Sequence, residues 1–318
     1  MIDAMSEFDL IKRFFTRTSP NTILGVGDDA ALIKVRDGME LAVSSDMLVS
    51  GTHFFPDVDP YWLGHKTLAV NLSDIAAMGG EPRWATLALS LPNVDAGWLE
   101  KFSEGFFSLA ERYGVDLIGG DTTRGPLNLC VTIMGEVPKG GALRRDGAKL
   151  GDEIWVSGTV GSAALALSHL QGKIVLPKAQ YLAFSACLHQ PQPRVELGLA
   201  LRGVANSAID ISDGLLADLG HILERSCVGA DIFYANIPRP PGVIDEIIDQ
   251  RCILAGGDDY ELCFTAPVAK HAEIEKISAR LALSLTCIGK IKNGSGSSVY
   301  SADGSLMSVK EQGYDHFA

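Results

Sequence analysis

Residues 84–125 read WATLALSLPNVDAGWLEKFSEGFFSLAERYGVDLIGGDTTRG, and this stretch decides the fold. Its first part is apolar and strand-like and stops at Pro92. The next part has apolar residues at helical spacing and is stopped by Gly114, which predicts an amphipathic helix. The last part predicts a strand that runs into a glycine loop. A further strand-like run, LNLCVTIMGEVP, follows, so strands and helices alternate and the fold class is α/β (α+β).

The remaining patterns extend this alternation on both sides. Ser6 is a candidate N-cap for a short first helix, and MELAVSSDMLVSG predicts a strand that ends near Asp46. A long helix is predicted from Pro60 to the Gly79–Gly80 pair. Further along the chain, ANSAIDISDGLLADLGHILERS predicts a strand that turns into a helix at Ser212–Asp213. CILAGGDDYELCFTAP predicts a loop that feeds a strand, and KNGSGSSVY predicts a hairpin turn.

The length of 318 residues exceeds the usual size of a single core, so two domains are expected. The glycine-rich, charged run KGGALRRDGAKLGDE has no periodicity and is the predicted boundary. We therefore expect an N-terminal domain over residues 1–138, a linker over 139–150 and a C-terminal domain over 151–318.

Composition excludes several classes of function. The formal net charge of −12 argues against binding to nucleic acid and to anionic membrane surfaces. No apolar run approaches the roughly 20 residues that span a bilayer, and the first residues lack the apolar core of a signal peptide. The 6 cysteines are scattered without paired-ligand spacing, which favours reduced thiols over disulfides or zinc. A cytoplasmic protein is expected.

Aspartates recur beside glycine or serine at the predicted strand ends. These carboxylates would repel one another unless cations lie between them, and ends of strands on one edge of a sheet tend to converge in space. Mg²⁺ prefers such hard oxygen ligands, to which the Ser44 and Ser45 oxygens could add. The recurring aspartates are Asp29, with neighbouring Asp28, and Asp46, Asp74, Asp121 and Asp213.

Glycine pairs and arginines supply the other parts of a phosphate site. Gly119–Gly120 and Gly256–Gly257 would let backbone amides approach phosphate oxygens. Arg124, Arg144 and Arg145 could neutralise the phosphates with paired donors. Metal, amide and arginine together are typical of phosphoryl transfer. The sequence has neither a P-loop nor the protein-kinase signature set, so an ATP enzyme would need a different architecture.

Taken together, the motifs resemble the thiamine-monophosphate kinase family, within the aminoimidazole ribonucleotide synthetase superfamily. The resemblance runs nearly end to end, and GTHF, GGDTTRG and GYDHF make it specific. It is carried by GVGDDAA, SSDMLVSGTHF, KTLAVNLSDIAAMGGEP, LIGGDTTRGP, NSAIDISDGLLADLGHI, GGDDYELCFT and GYDHF. It implies a two-domain ATP-binding fold, in which a mixed-sheet N-terminal domain forms a homodimer and a C-terminal α/β domain completes the substrate site.

The resemblance also implies an activity and a set of site residues. The activity is Mg²⁺-assisted transfer of the ATP γ-phosphoryl group to thiamine monophosphate, with no general base. The implied metal ligands are Asp29, Ser44, Ser45, Asp46, Asp74, Asp121, Asp210 and Asp213. The implied nucleotide contacts are Gly120, Asp121, Arg145, Ser212 and Tyr113, and the implied thiamine phosphate contacts are His53, Asp258 and Tyr314.

One residue departs from the family pattern. Asp258 stands first in GGDDYEL, where the family usually has glutamate, and its shorter arm puts a direct substrate contact in question or implies a bridging water. Asp218, one helical turn after Asp213, is expected at the surface. The tryptophans are expected to serve in packing.

Two other functions remain open at this point. One is a different ATP enzyme of the same superfamily, although the first cysteine is Cys130 and the chain ends in YDHFA, without the cysteines that two such branches require. The other is a non-catalytic protein that binds a divalent cation or a nucleotide and would not produce ADP.

Overall fold

A computed structural model of the chain describes residues 6–241, 246–309 and 313–314. These residues form two compact units. Among the described residues, those within 1–75 and 80–140 form the first unit, and those within 76–79 and 141–318 form the second. Each unit has its own sheet. In the described residues no helix is both long and apolar enough to cross a membrane.

The first unit contains a four-stranded mixed sheet and the helices that alternate with its strands. Its helices are α1 (Glu7–Leu10), which continues into a π-helical turn at Ile11–Phe15, α2 (Pro60–Ala77) and α3 (Ala96–Tyr113). Its strands are β1 (Met39–Val49), β2 (Glu81–Leu91), β3 (Asp116–Arg124) and β4 (Asn128–Pro138), in the order β1-β4-β2-β3. Only β2 and β3 are parallel, as a strand–helix–strand unit requires.

Local signals explain why residues 84–125 fold as predicted. The Asp95 carboxylate caps α3 by accepting the N–H groups of Gly97 and Trp98, and Gly114 ends the helix in the left-handed conformation. Phe102 and Phe106, one turn apart in α3, are fully buried. The α/β fold class is confirmed, and so is the N-cap at Ser6, whose Oγ accepts the Asp9 N–H.

The second unit is a six-stranded mixed sheet. Its strands are β5 (Glu153–Ser157), β6 (Ser207–Asp210), β7 (Gly229–Phe233), β8 (Leu262–Ala266), β9 (Leu285–Lys292) and β10 (Gly296–Tyr300), in the order β10-β7-β9-β5-β8-β6. Its helices are α4 (Ser162–Leu170), α5 (Lys178–His189), α6 (Val195–Leu201), α7 (Leu215–Ser226), α8 (Glu246–Ala255) and α9 (His271–Leu281).

Several predicted boundaries differ from the structure. The first strand continues past Asp46 to Val49, because its ladder with β4 runs to Asn128. Cys252–Ala255 lie in helix α8 instead of a loop. The predicted hairpin at KNGSGSSVY is wrong, since β10 pairs in parallel with β7 while β9 pairs with β7 and β5. Residues 141–150, predicted as part of a linker, belong to the second unit, where Leu143 and Ala148 join its core.

Two glycines allow helices α2 and α3 to cross at short range. A Cβ on Gly64 would overlap the carbonyl oxygen of Phe102, and a Cβ on Gly105 would overlap that of Tyr61. Each glycine therefore lies against the backbone of the other helix. Because a backbone carbonyl cannot swing away as a flexible side chain can, neither position has room for a larger residue.

We expect Gly105→Ala to lower the free energy of unfolding by about 1–3 kcal/mol, because the added methyl forces α2 and α3 apart. Denaturant unfolding followed by circular dichroism measures this effect. The matched control is Gly97→Ala in the same helix, where the new Cβ meets only Asp95 Oδ1 at 3.5 Å, so stability should be unchanged or higher. Equal stability of the two variants would contradict the close crossing.

Candidate active site: carboxylates in the two units

The first unit has a cavity of about 590 Å³ at the edge formed by β3. Asp28 and Asp29, from the segment between α1 and β1, line it together with Gly120 and Asp121 of β3. The cavity floor is apolar, with Phe15 and Leu117 among its side chains. The structure thus brings together Asp29, Gly120 and Asp121, which the sequence analysis assigned to metal and nucleotide.

A second polar group lies where β1 faces α2. Ser44 and Asp46, two residues apart on β1, lie on the face toward the helix. Ser44 Oγ donates to Asp74 Oδ2 at 2.5 Å. The Asp46 N–H donates to Asn71 Oδ1 at 3.2 Å, one helical turn from Asp74. Ser45 points to the opposite face, where its Oγ donates to the Val131 carbonyl at 3.1 Å. Only the backbone oxygen of Ser45 could therefore join the other three residues.

These two groups lie at opposite edges of the sheet. Asp46 is paired with Val131, Val131 with Leu87, and Leu87 with Gly120, so one row crosses all strands. Three inter-strand spacings separate the backbones of Asp46 and Gly120 by roughly 14 Å. The expectation that these aspartates converge at strand ends is wrong for the first unit, because Asp46 and Asp121 lie within edge strands.

The two glycines of β3 differ in what they require. Gly120 has a φ of 145°, and a Cβ there would overlap the carbonyl oxygen of Leu87. At Gly119 a Cβ would meet nothing within 4 Å. Packing against β2 therefore explains the glycine at 120 without any phosphate, whereas packing leaves Gly119 unexplained.

Two other predicted contacts of the first unit lie outside the cavity lining. His53 follows β1 in a turn, and its Nδ1 accepts the Val49 N–H at 2.9 Å. This bond fixes which imidazole nitrogen faces the backbone. Tyr113 is the last residue of α3, and the Arg112 guanidinium lies 5.1 Å from the centre of its ring.

In the second unit, the turn between β6 and α7 collects four of the predicted residues. This turn, residues 211–214, contains Ser212 and Asp213. The Ser212 carbonyl accepts the Asp258 N–H at 2.8 Å, and the Asp213 carbonyl accepts the Tyr314 N–H at 3.0 Å. Predicted metal, nucleotide and thiamine phosphate residues thus lie on adjoining backbone segments.

Asp218, which we expected at the surface, is 3 % exposed, so that expectation is wrong. Its Oδ2 accepts the N–H groups of Ser212, Asp213 and Gly214, each at 3.0 Å. Burial, followed by the nearby carboxylates of Asp210 and Asp213, raises the pKa of Asp218 to about 7. The sequence did carry a signal, since helical spacing from Leu215 and Leu219 places Asp218 on the buried stripe of α7.

The segment that carries Asp258 is held in an uncommon backbone conformation. Asp258 has a φ of 68° and Tyr260 a φ of 50°, both in the left-handed region that non-glycine residues rarely adopt. Tyr260 Oη donates to Asp258 Oδ1 at 3.1 Å. The Tyr260 N–H donates to the Ile211 carbonyl at 2.8 Å. Hydrogen bonds to the 211–214 turn therefore fix this segment.

Two neighbouring acids that the sequence analysis did not single out support the same segment. Asp259 Oδ2 accepts the Gly161 N–H at 2.7 Å, just before α4, and burial raises the pKa of Asp259. Glu261 is paired with Arg194 and accepts the Ser157 hydroxyl, and burial raises the pKa of Glu261. Each buried carboxylate has a donor, which keeps the strained segment in place.

Arg145 lies apart from these residues within the second unit. Its carbonyl oxygen accepts the Ser226 hydroxyl at 2.8 Å, at the C-terminal end of α7. Ser212 precedes the N-terminal end of α7. Twelve residues of helix separate the two positions, or roughly 18 Å.

The donor chemistry fits magnesium that arrives with phosphate. In the part of the chain that is described, no three carboxylate, imidazole or thiol side chains are grouped closely enough to hold a metal by themselves. Mg²⁺ does not need such a cage, because it keeps water and phosphate oxygens as ligands beside one or two carboxylates. The half-buried or exposed oxygens of Asp29, Asp46 and Asp121 are of this kind.

We expect Gly120→Ala to lower the free energy of unfolding by about 1–3 kcal/mol, because alanine is strained at this φ and meets the Leu87 carbonyl. Thermal unfolding measures the loss. Gly119→Ala is the matched control, and its melting temperature should stay within about 2 °C of the parent, since its Cβ enters open space. A similar loss in both variants would mean that the close packing of Gly120 is not what limits stability.

The chain is similar to known proteins along nearly its whole length. Residues 27–137 match the family model of the AIR synthase related protein, N-terminal domain. The thiamine-monophosphate kinase of Escherichia coli K12 is 45 % identical over 322 residues, which cover 99 % of each chain. The crystal structure of thiamine-monophosphate kinase from Stenotrophomonas maltophilia K279a is 48 % identical, with a TM-score of 0.87 over 95 % of this chain and 98 % of that one. AaThiL complexed with AMPPCP and TMP is 29 % identical, with a TM-score of 0.76 over 98 % and 96 %. Since the similarity extends through both units and well beyond residues 27–137, the chain belongs to the thiamine-monophosphate kinase family.

Proposed function

We propose that this enzyme transfers the γ-phosphoryl group of ATP to the phosphate of thiamine monophosphate, forming thiamine diphosphate and ADP. The observation that carries the proposal is the full-length identity of 45 % to a thiamine-monophosphate kinase. A relative similar over 98 % of this chain, AaThiL, was solved in complex with AMPPCP and TMP. In this chain, Asp28, Asp29 and Asp121 line the 590 Å³ cavity, and Asp213 lies in the 211–214 turn.

The acceptor needs no general base. The second pKa of a phosphate ester is about 6, so at neutral pH the acceptor phosphate is mostly a dianion with a nucleophilic oxygen. The task of the protein is therefore to hold two polyanions in line at close range. This explains why the proposed site is rich in carboxylates rather than in histidine–carboxylate pairs.

Magnesium accounts for the carboxylates themselves. Bound Mg²⁺ would offset the charge of both phosphate groups and fix their oxygens in line. In the first unit, Asp29 and Asp121 would hold it beside the cavity, and Ser44, Asp46 and Asp74 would hold it between β1 and α2. In the second unit, Asp210 and Asp213 would do so. The roughly 14 Å between the two groups of the first unit requires more than one ion.

The remaining residues would contact the two substrates. Gly120, Tyr113, Ser212 and Arg145 are the proposed nucleotide contacts, and His53, Asp258 and Tyr314 are the proposed contacts to thiamine phosphate. His53 presents a fixed ring because Val49 holds its Nδ1. Asp258 presents a fixed carboxylate because Tyr260 holds its Oδ1. Both would recognise their ligand with little loss of side-chain entropy.

We also propose that the enzyme is a cytoplasmic homodimer. The face of β1 that points away from α2 exposes Val43 at 58 % and Met47 at 52 %, beside half-buried Met134 of β4. A second copy of this face would cover these apolar side chains. The cytoplasmic location rests on the scattered spacing of the 6 cysteines, which favours reduced thiols.

The activity is tested by incubating the purified enzyme with ATP, Mg²⁺ and thiamine monophosphate, unphosphorylated thiamine or no acceptor. Equal amounts of ADP and thiamine diphosphate, formed only with the monophosphate, are expected from chromatography of the products. ADP without thiamine diphosphate would indicate an ATP enzyme for another acceptor. No ADP under any condition, despite Mg²⁺ binding, would indicate a binding protein.

We expect Asp121→Asn to lower kcat/KM by roughly 10²-fold, because it removes a metal-binding charge from the cavity without changing side-chain size. The steady-state rate of ADP release, measured over a range of Mg²⁺ concentrations, checks this value. Asp37→Asn, which removes another exposed acid of the same unit outside the cavity, should leave kcat/KM within about twofold. Equal activity of both variants would exclude Asp121 from the site.

We expect Val43→Glu to weaken dimerisation by at least about tenfold, because the charge would be buried without a partner in an apolar interface. Sedimentation velocity over a concentration series measures the shift toward monomer. Val94→Glu, at a valine of the same unit that is 50 % exposed and lies outside β1, is the matched control. A parent protein that stays monomeric would contradict the proposed dimer.

A further inference from the structure

Asp218 is a buried acid for which the proposed reaction assigns no substrate or metal contact. It lies in the first turn of α7, and its N–H donates to the Gly214 carbonyl at 3.0 Å as part of the helix. From there its side chain reaches back to the residues that precede the helix. Three N–H groups, of Ser212, Asp213 and Gly214, converge on the single oxygen Oδ2.

This arrangement fixes the shape of the turn. Consecutive N–H groups can point at one atom only when the backbone between them is curled around that atom. Gly214 makes the curl possible, since its φ is 128° and a Cβ there would press against the Ala255 backbone. Gly214, at the N-cap position of α7, has no side chain that could cap the helix. The Asp218 carboxylate accepts the N–H groups of the turn instead.

The charged groups around Asp218 are other acids. Asp218 is 3 % exposed, and repulsion from the carboxylates of Asp210 and Asp213 adds to burial in raising its pKa. An uncharged acceptor at this position would avoid burying a third negative charge. A charged acceptor, however, binds N–H groups about twice as strongly as a neutral one and so holds the turn more rigidly.

We propose that Asp218 is a positioning residue for phosphoryl transfer, which fixes the 212–214 backbone so that Ser212 and Asp213 present their side chains in one direction. This inference rests on the proposed function of that turn. Asp218 acts through its neighbours and touches neither substrate. Because Asp258 and Tyr314 are hydrogen-bonded to the same turn, a shift of the turn also moves the proposed thiamine phosphate contacts.

The test compares Asp218→Asn with the parent enzyme and with Glu224→Gln, which neutralises an exposed acid on the same helix. Asparagine keeps the size of the side chain and removes the charge. We expect kcat to fall by roughly 10²-fold, because small misplacement of reacting groups costs about that much. The melting temperature should be unchanged or higher, because one of three neighbouring negative charges is gone. Glu224→Gln should change neither value.

A second readout does not depend on turnover. Hydrogen–deuterium exchange of the peptide that contains residues 211–214 should be faster in Asp218→Asn than in the parent, with no change in α9. If Asp218→Asn does not fold, Asp218→Glu keeps the charge and moves the oxygen, and the same peptide and kcat are measured. A folded variant with exchange and kcat within threefold of the parent would falsify the positioning role.

The two readouts separate this inference from the proposed function. If the parent enzyme makes thiamine diphosphate and Asp218→Asn does so equally well, the inference fails and the function stands. If the parent makes none, the proposed function fails, and faster exchange in Asp218→Asn still supports the hold on the turn. A lower kcat explained entirely by a lower melting temperature would show a structural role and would overturn the inference.

Discussion

The candidate site of the second unit depends on one buried acid, Asp218, which accepts three backbone N–H groups while other acids lie close to it. Asp210, Asp213 and Asp218 lie near enough to one another that their repulsion, together with burial, raises the pKa of Asp218 to about 7. The N–H groups of residues 212–214 donate to Asp218, and these bonds fix both its carboxylate and the turn. The fold thus places three acids close together around one turn. Under the proposed function, bound Mg²⁺ would offset this local negative charge.

Local signals explain most of what could be predicted from the sequence. The unit β2–α3–β3 was predictable because its caps, Asp95 and Gly114, and its apolar spacing all act within a few residues. The pairing of β10 with β7 was not predictable in this way. A short glycine–serine run between two strands is typical of a hairpin, and only the whole sheet decides that β7 lies between β9 and β10. The end of β1 was misplaced for a similar reason, since its length is set by β4, far along the chain.

The candidate site is harder to predict from the sequence, because a glycine can be required either by close backbone packing or by an approaching phosphate. Glycines beside aspartates suggested backbone amides that approach a phosphate, yet Gly120 is required by the Leu87 carbonyl, and Gly257 by the Ser212 carbonyl. Both requirements select glycine, so the sequence alone does not distinguish them. Asp218 was expected at the surface because an acid on a helix is usually exposed. Its spacing from Leu215 and Leu219 did place it on the buried face, so the pattern of its neighbours was a better guide than its own polarity.

The resemblance implies glutamate at the position of Asp258, and the structure shows what the shorter side chain contacts instead. A shorter carboxylate reaches less far toward a substrate, but it is held close to its own backbone, where Tyr260 Oη donates to it at 3.1 Å. Both residues have left-handed backbone angles, and their N–H groups donate to Ser212 and Ile211. The free energy that such angles cost, of order 1–3 kcal/mol each, is offset by these bonds. An aspartate at position 258 therefore reaches less far than a glutamate would, while its carboxylate keeps a fixed position relative to the 211–214 turn. A water molecule between Asp258 and the substrate would restore the reach without loosening that position.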